Sequence, residues 1–154
     1  MSMENPNRLP VTKIQGESYE KSLSEIIRKV EESKHKAITT VNKLLIELYW
    51  FIGKTIVNLQ ERGKWGDGVV EKLSYDLRTK YPDQNGFSVR NLWNMKRFCE
   101  TYRHDEKLQT LSAEISWSHN VLILDKTMTI ESKEFYLKTP IPENQFLHSP
   151  LIDF

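Results

Sequence analysis

Between Tyr19 and Tyr136 the apolar residues recur at helical spacing almost without a break, and no proline interrupts Glu17 to Arg62. An α-helix brings every third or fourth residue to one face, whereas a half-buried strand alternates, so this pattern restricts the chain to helices. Tyr19, Leu23, Ile26, Ile27 and Val30 form one stripe, which resumes at Ala37, Val41, Leu44, Leu45 and Leu48. The stretch is either one very long helix or two helices meeting near Ser33, Lys34, His35 and Lys36, where polar residues interrupt the stripe. From Leu44 to Ile56 the residues Leu45, Leu48, Tyr49, Trp50, Phe51 and Ile52 cover most of the helical circumference, which predicts a place at the centre of the fold.

Gly63, Gly66 and Gly68, with Trp65 among them, stop this unit near Arg62; Trp65 is expected to be pinned against the core. A second helix is expected from Asp67 to Lys80, with Val69, Val70, Leu73 and Leu77 on one face and Pro82 marking its end. Asn85-Gly86 closes a turn, and Ser88 is a suitable N-cap for a helix from Val89 to about Arg103. Two shorter helices are expected, about His119 to Lys126 and about Ile130 to Lys138, capped by Ser118 and Thr129. The fold class is therefore all-α: a helical bundle with a long N-terminal helix, or helix pair, and a helix-turn-helix-like unit. Residues 1–16 are expected as a flexible N-terminus, 17–138 as the helical module, and 139–154, with Pro140, Pro142 and Pro150, as an irregular or disordered tail.

Composition excludes several function classes. The 154 residues carry 22 Lys and Arg against 21 Asp and Glu, so binding of nucleic acid has to come from a local patch rather than global charge. One cysteine forms no internal disulfide, and Met1 to Pro10 lacks an apolar signal region, which points to a reducing cytoplasm. Leu44 to Ile52, the longest dense apolar run, contains Glu47 and falls far short of the roughly 20 residues of a membrane span. No membrane partner is expected.

The local patch is found between Arg78 and Lys107, where seven basic residues face four acidic ones. On the helix after Ser88, Leu92, Met95, Cys99 and Tyr102 share the apolar side, flanked by Val89 and Phe98, while Arg90, Asn94, Arg97 and Thr101 share the opposite one. Arginine forks onto guanine or phosphate and asparagine pairs with adenine, so this stripe has chemistry suited to a major groove. With the flanking Asn91 and Lys96, the candidate DNA contacts are Arg90, Asn91, Asn94, Lys96 and Arg97. A polar stripe is also the ordinary solvated face of a surface helix. Trp93, beside the stripe, either stacks on a partner or is covered by another helix. A competing reading is a protein-interaction module, with a homo-oligomer formed through the long first helix.

Other constellations carry less. Asp83 after Pro82, with Glu131-Ser132-Lys133, spells the elements of a PD-(D/E)xK nuclease, but that chemistry needs its carboxylates and lysine on adjacent strands around Mg²⁺. Here one element falls in a turn and the other in a helix, and Glu32-Ser33-Lys34 matches equally well. His35, His104, His119 and His148 lack partners at ligand spacing, so no metal site and no cofactor are expected. Cys99 is expected as an inert core thiol.

Several short motifs agree together in order and spacing. Val41-Asn42, Leu48 to Lys54, Trp65-Gly66, Leu73 to Leu77, Tyr81-Pro82, Gly86 to Phe98 and Trp117-Ser118-His119 make the chain resemble the N-terminal domain of the domain-of-unknown-function 1016 family of bacteria, over roughly Ser18 to Thr139. In that family a helical N-terminal domain precedes a PD-(D/E)xK nuclease domain. The resemblance implies a DNA-binding or assembly module without catalysis, because the nuclease residues have no counterparts here. After Thr139 the chain departs from the family pattern, as a frameshifted or truncated gene would.

Overall fold

The computed structural model describes residues 16–63, 68–126 and 129–139. The expected flexible N-terminus up to residue 15, Trp65, Asp67 and the tail beyond Thr139 lie outside the described residues. Six helices follow in order among them: α1 (Glu17–Glu61), α2 (Gly68–Lys80), α3 (Val89–Tyr102), α4 (Glu106–Ser112), α5 (Trp117–Lys126) and α6 (Ile130–Lys138). The all-α class and the long first helix match the sequence reading. Of the two alternatives at 33–36, the single helix is the one formed: polar residues there interrupt the apolar stripe but contain no helix breaker. No helix among the described residues is long and apolar enough to cross a membrane.

The chain divides into two compact units, 1–37 and 38–154. In the first, every described residue is exposed, including Tyr19, Leu23, Ile26, Ile27 and Val30. In the second, a core joins Leu45, Ile46, Tyr49 and Ile56 of α1 to Val69 and Val70 of α2, Leu92, Met95, Phe98 and Tyr102 of α3, Leu108 of α4, Trp117 and Ile123 of α5, and Leu137 of α6. Its centre is aromatic. Trp117 meets Tyr49 edge-on at 4.8 Å between ring centroids and Phe98 at 5.4 Å, distances at which edge-to-face rings attract beyond their buried area.

Polar side chains inside this core secure the connections. Asn42 donates to the carbonyl of Ile115 at 2.7 Å, Ser74 to that of Phe87 at 2.7 Å, and Asn120 to those of Ser112 and Ser116. Asn42 thereby ties α1 to the α4–α5 connection, Ser74 ties α2 to the turn before α3, and Asn120 ties α5 to the end of α4, pairing polar groups that are buried. Gly53 allows α1 and α3 to touch: a Cβ there would stand 2.1 Å from the Met95 carbonyl oxygen.

The structure corrects three local expectations. Leu44 to Ile56 is not enclosed all round, because Leu44, Leu48 and Phe51 are exposed while Leu45, Ile46, Tyr49, Gly53 and Ile56 are buried. The core packs one side of α1 only. Helix α5 starts two residues earlier than expected, with the Ser116 hydroxyl, not Ser118, accepting the His119 N–H at 3.2 Å. Helix α4 was not foreseen: seven residues hold too few apolar positions for a period, although Asp105 caps it through the Leu108 N–H. Thr129 and Ser88 cap α6 and α3 as expected.

Candidate nucleic-acid interface

The predicted stripe lies on α3, and its exposure follows from the packing of the opposite face. Leu92, Met95, Phe98, Cys99 and Tyr102 are all buried, as the helical wheel requires. Burial pushes the Cys99 thiol upward, against the smaller opposing influence of Arg103 and Lys54, which keeps it a protonated core thiol.

The five candidate residues do not share one environment. Arg90, in the first turn, is exposed, and its side chain has no hydrogen bond or ion pair among the described residues. Asn91 is half-buried with both ends of its amide engaged: its nitrogen donates to the Gly86 carbonyl at 2.7 Å, and its oxygen accepts from Trp117 Nε1 at 2.7 Å. It ties the turn before α3 to the start of α5. The same amide reaches the Tyr49 hydroxyl, whose pKa is pushed up to about 12 by burial, with the Asn91 hydrogen bond opposing. Gly86, at φ 119°, takes a conformation that suits glycine, and a Cβ there would stand 2.4 Å from the Tyr49 hydroxyl.

Further along the helix, Arg97 donates to Asn94 Oδ1 at 3.1 Å and to Asp125 of α5. Lys96 lies 5.1 Å from the Trp93 ring centroid and 3.4 Å from Glu100. Trp93 is partly buried against the core, so covering by the protein accounts for much of its surface. The basic patch is also more neutralised than its sequence suggests. Lys96, Arg97, Arg103 and Lys107 pair with Glu100, Asp125, Glu61 and Glu134, three of which lie outside the 78–107 window or on other helices. Arg78, Lys80 and Arg90 are the cations of that window with no ion pair among the described residues, and Arg78 donates to the Ser74 carbonyl of its own helix at 3.3 Å.

Around Arg90 the fold builds a groove of about 410 Å³. Ser88, Arg90 and Asn94 of the α3 side face Trp117, Ser118 and Val121 of α5 across it. Two helix N-terminal turns thus border one depression, and both present the positive end of a helix dipole and N–H groups outside the helical ladder. Ser118 is the cap that the sequence pattern predicts for α5. With Ser116 in that role, the exposed Ser118 side chain stands at the groove instead. The motif Trp117-Ser118-His119 was visible in the sequence, but its proximity to Arg90 was not.

No group of three or more His, Cys, Asp or Glu side chains stands together among the described residues. Asp83 lies in the turn before α3, Glu131 and Lys133 on α6, and Lys133 is buried. His104 accepts a hydrogen bond from Arg103 Nε at 3.1 Å.

A family model described as the DUF1016 N-terminal domain matches residues 25–148, and so continues past Thr139, where a departure from the family pattern is expected from the sequence. The chain is also similar to a protein of Escherichia coli (strain K12) named "Putative nuclease YhcG", with 31% identity over 102 residues. That alignment covers 64% of this chain and 27% of the relative, so the chain spans about a quarter of the length of the curated relative it matches. No solved structure matches the chain.

Proposed function

From the premise that this chain belongs to the DUF1016 N-terminal domain family, which associates it with nuclease-type proteins, we propose that it is a non-catalytic DNA-binding module. The groove between the N-terminal turns of α3 and α5 is the observation that carries this reading. An unpaired arginine beside two helix N-termini suits a phosphate oxygen, because guanidinium and backbone N–H groups both donate to anions and the helix dipoles favour negative charge. Arg90 supplies the charge, and Ser118 and Asn94 supply hydrogen bonds.

The other candidates act differently in this reading. Lys96 and Arg97 contribute to the field of the surface while held by Glu100 and Asp125. Asn91 positions the groove by joining Gly86 to Trp117. The contact is therefore chiefly with the DNA backbone, with little base reading, since phosphate contacts orient a protein without carrying sequence information.

Fluorescence anisotropy with a labelled duplex, across a range of salt concentrations, tests this. Binding is expected to weaken with salt, and Arg90→Ala to lower affinity about tenfold and the logarithmic salt slope by about 1. Unchanged affinity and slope in Arg90→Ala would refute the site. Mg²⁺-dependent cleavage of DNA by the purified chain would refute the non-catalytic reading.

A further inference from the structure

The DNA-binding reading leaves unused the side of α2 that runs into the turn before α3. Tyr75, Arg78 and Tyr81 follow one another at intervals of three residues, and the Tyr81 N–H still donates to the Leu77 carbonyl at 2.8 Å, so the helical arrangement extends through Tyr81. Residues three apart on a helix form one ridge. This ridge borders the buried face, because the neighbouring Ser74 is buried and donates to the Phe87 carbonyl. Both tyrosines stay outside the core, at 65% and 42% exposure. Tyr81 leans on the buried Phe87, with ring centroids 6.1 Å apart, which holds its ring in place. The ridge therefore ends beside Phe87, three residues before Arg90.

Charge identifies the kind of partner. Between Asp76 and Glu100 the single acid Asp83 stands against Arg78, Lys80, Arg90, Lys96 and Arg97. Lys96 and Arg97 are held by Glu100 and Asp125, whereas the first three have no ion pair among the described residues. Arg78 Nε donates to the Ser74 carbonyl at 3.3 Å, which fixes the side chain on the ridge without neutralising it. Exposed rings on either side of an uncompensated guanidinium suit a nucleic-acid strand, whose bases stack on rings and whose phosphates pair with cations. In a duplex the base faces are stacked on one another and closed to side chains, so such rings take bases from an unpaired strand.

We propose, on the DNA-binding reading of the Arg90 groove, that the Tyr75–Arg78–Tyr81 ridge holds an unpaired strand next to the duplex. Tyr75 and Tyr81 lie roughly 9 Å apart along the helix axis, so each stacks on its own base and Arg78 meets the phosphate between them. Arg90 holds the backbone of the adjoining duplex. The substrate class is DNA in which a duplex opens into a single strand, rather than an uninterrupted duplex.

Fluorescence anisotropy of the full chain compares two labelled probes at one salt concentration, a blunt duplex and the same duplex with a single-stranded thymidine tail. The tailed probe is expected to bind about tenfold more tightly. Tyr75→Ala, at a site exposed enough to spare the core, removes most of that advantage and leaves the affinity for the blunt duplex as it was. Tyr81→Phe retains the advantage, because stacking uses the ring and not the hydroxyl. Equal affinity of the unaltered chain for the two probes overturns the ridge while leaving the groove in place. An advantage that survives Tyr75→Ala combined with Tyr81→Ala overturns the ridge as well. Binding of the tailed probe alone, lost with the tyrosines, supports the ridge and refutes the groove as a duplex site. Binding of neither probe overturns both.

Discussion

Replacing Gly53 by alanine tests the packing that supports the groove. The added Cβ would meet the Met95 carbonyl oxygen at 2.1 Å, its carbon at 2.7 Å and the Cys99 Cβ at 3.2 Å. A carbon and a carbonyl oxygen rest at about 3.3 Å, so α1 and α3 must separate by roughly 1.2 Å. The obstructing atom is helix backbone, which does not swing aside as a side chain would. A gap of this size forfeits about a quarter to a half of each dispersion contact along the crossing. Overpacking of this kind costs about 3 kcal/mol, at the upper end of its usual range, while alanine returns ~1 kcal/mol of helix propensity, for a net loss of about 2 kcal/mol. For a domain of this size that lowers Tm by about 8 °C. Thermal unfolding followed by circular dichroism at 222 nm measures it, with Gly68→Ala as the control because, among the described residues, no other element comes within 4 Å of a Cβ there. A Gly53→Ala protein with a Tm equal to or above that of the unaltered chain would refute the reasoning.

Asn91→Ala leaves the Gly86 carbonyl and Trp117 Nε1 without partners and is expected to cost roughly 2–4 kcal/mol, seen as a lower urea midpoint at constant m. Full stability combined with lost DNA affinity would make Asn91 a direct contact instead. Glu134 gives a pH signature: hydrogen bonds from Lys107 and Lys138 hold its pKa down from 4.5 to about 2. A depressed carboxylate stabilises the fold above its unfolded value and loses that contribution as pH falls through the folded one. Stability is therefore expected to decline from about pH 4.5 toward pH 2, and Glu134→Gln to flatten that part of the profile in acid titrations of Tm. An identical profile in the variant would show that the bridge contributes nothing measurable on this exposed surface.

What local pattern determines was legible in the sequence. The nearly continuous helical period, the absence of proline from 17–62 and the Ser88 and Thr129 caps specified an all-α chain, and the apolar face of α3 was read residue by residue. Helical periodicity and capping involve residues within one or two turns, so the letters alone report them. The ordered motifs from Val41 to His119 likewise identified the family, which depends on their order rather than on their contacts.

The polar side of α3 was different, because its character is set by groups distant in sequence. Arg97 is held by Asp125, 28 residues on, and Asn91 by Trp117, 26 residues on. A helical wheel places Arg90 and Arg97 on one equivalent stripe, and only packing against α5 distinguishes the unpaired one from the paired one. Packing likewise chose Ser116 over Ser118 as the cap and so left Ser118 at the groove. The sequence by itself determined which faces are polar and which apolar, since side-chain direction along a helix follows from its pitch. Tertiary structure decided which polar groups are already satisfied, since hydrogen bonds and ion pairs depend on distances that only the folded chain sets.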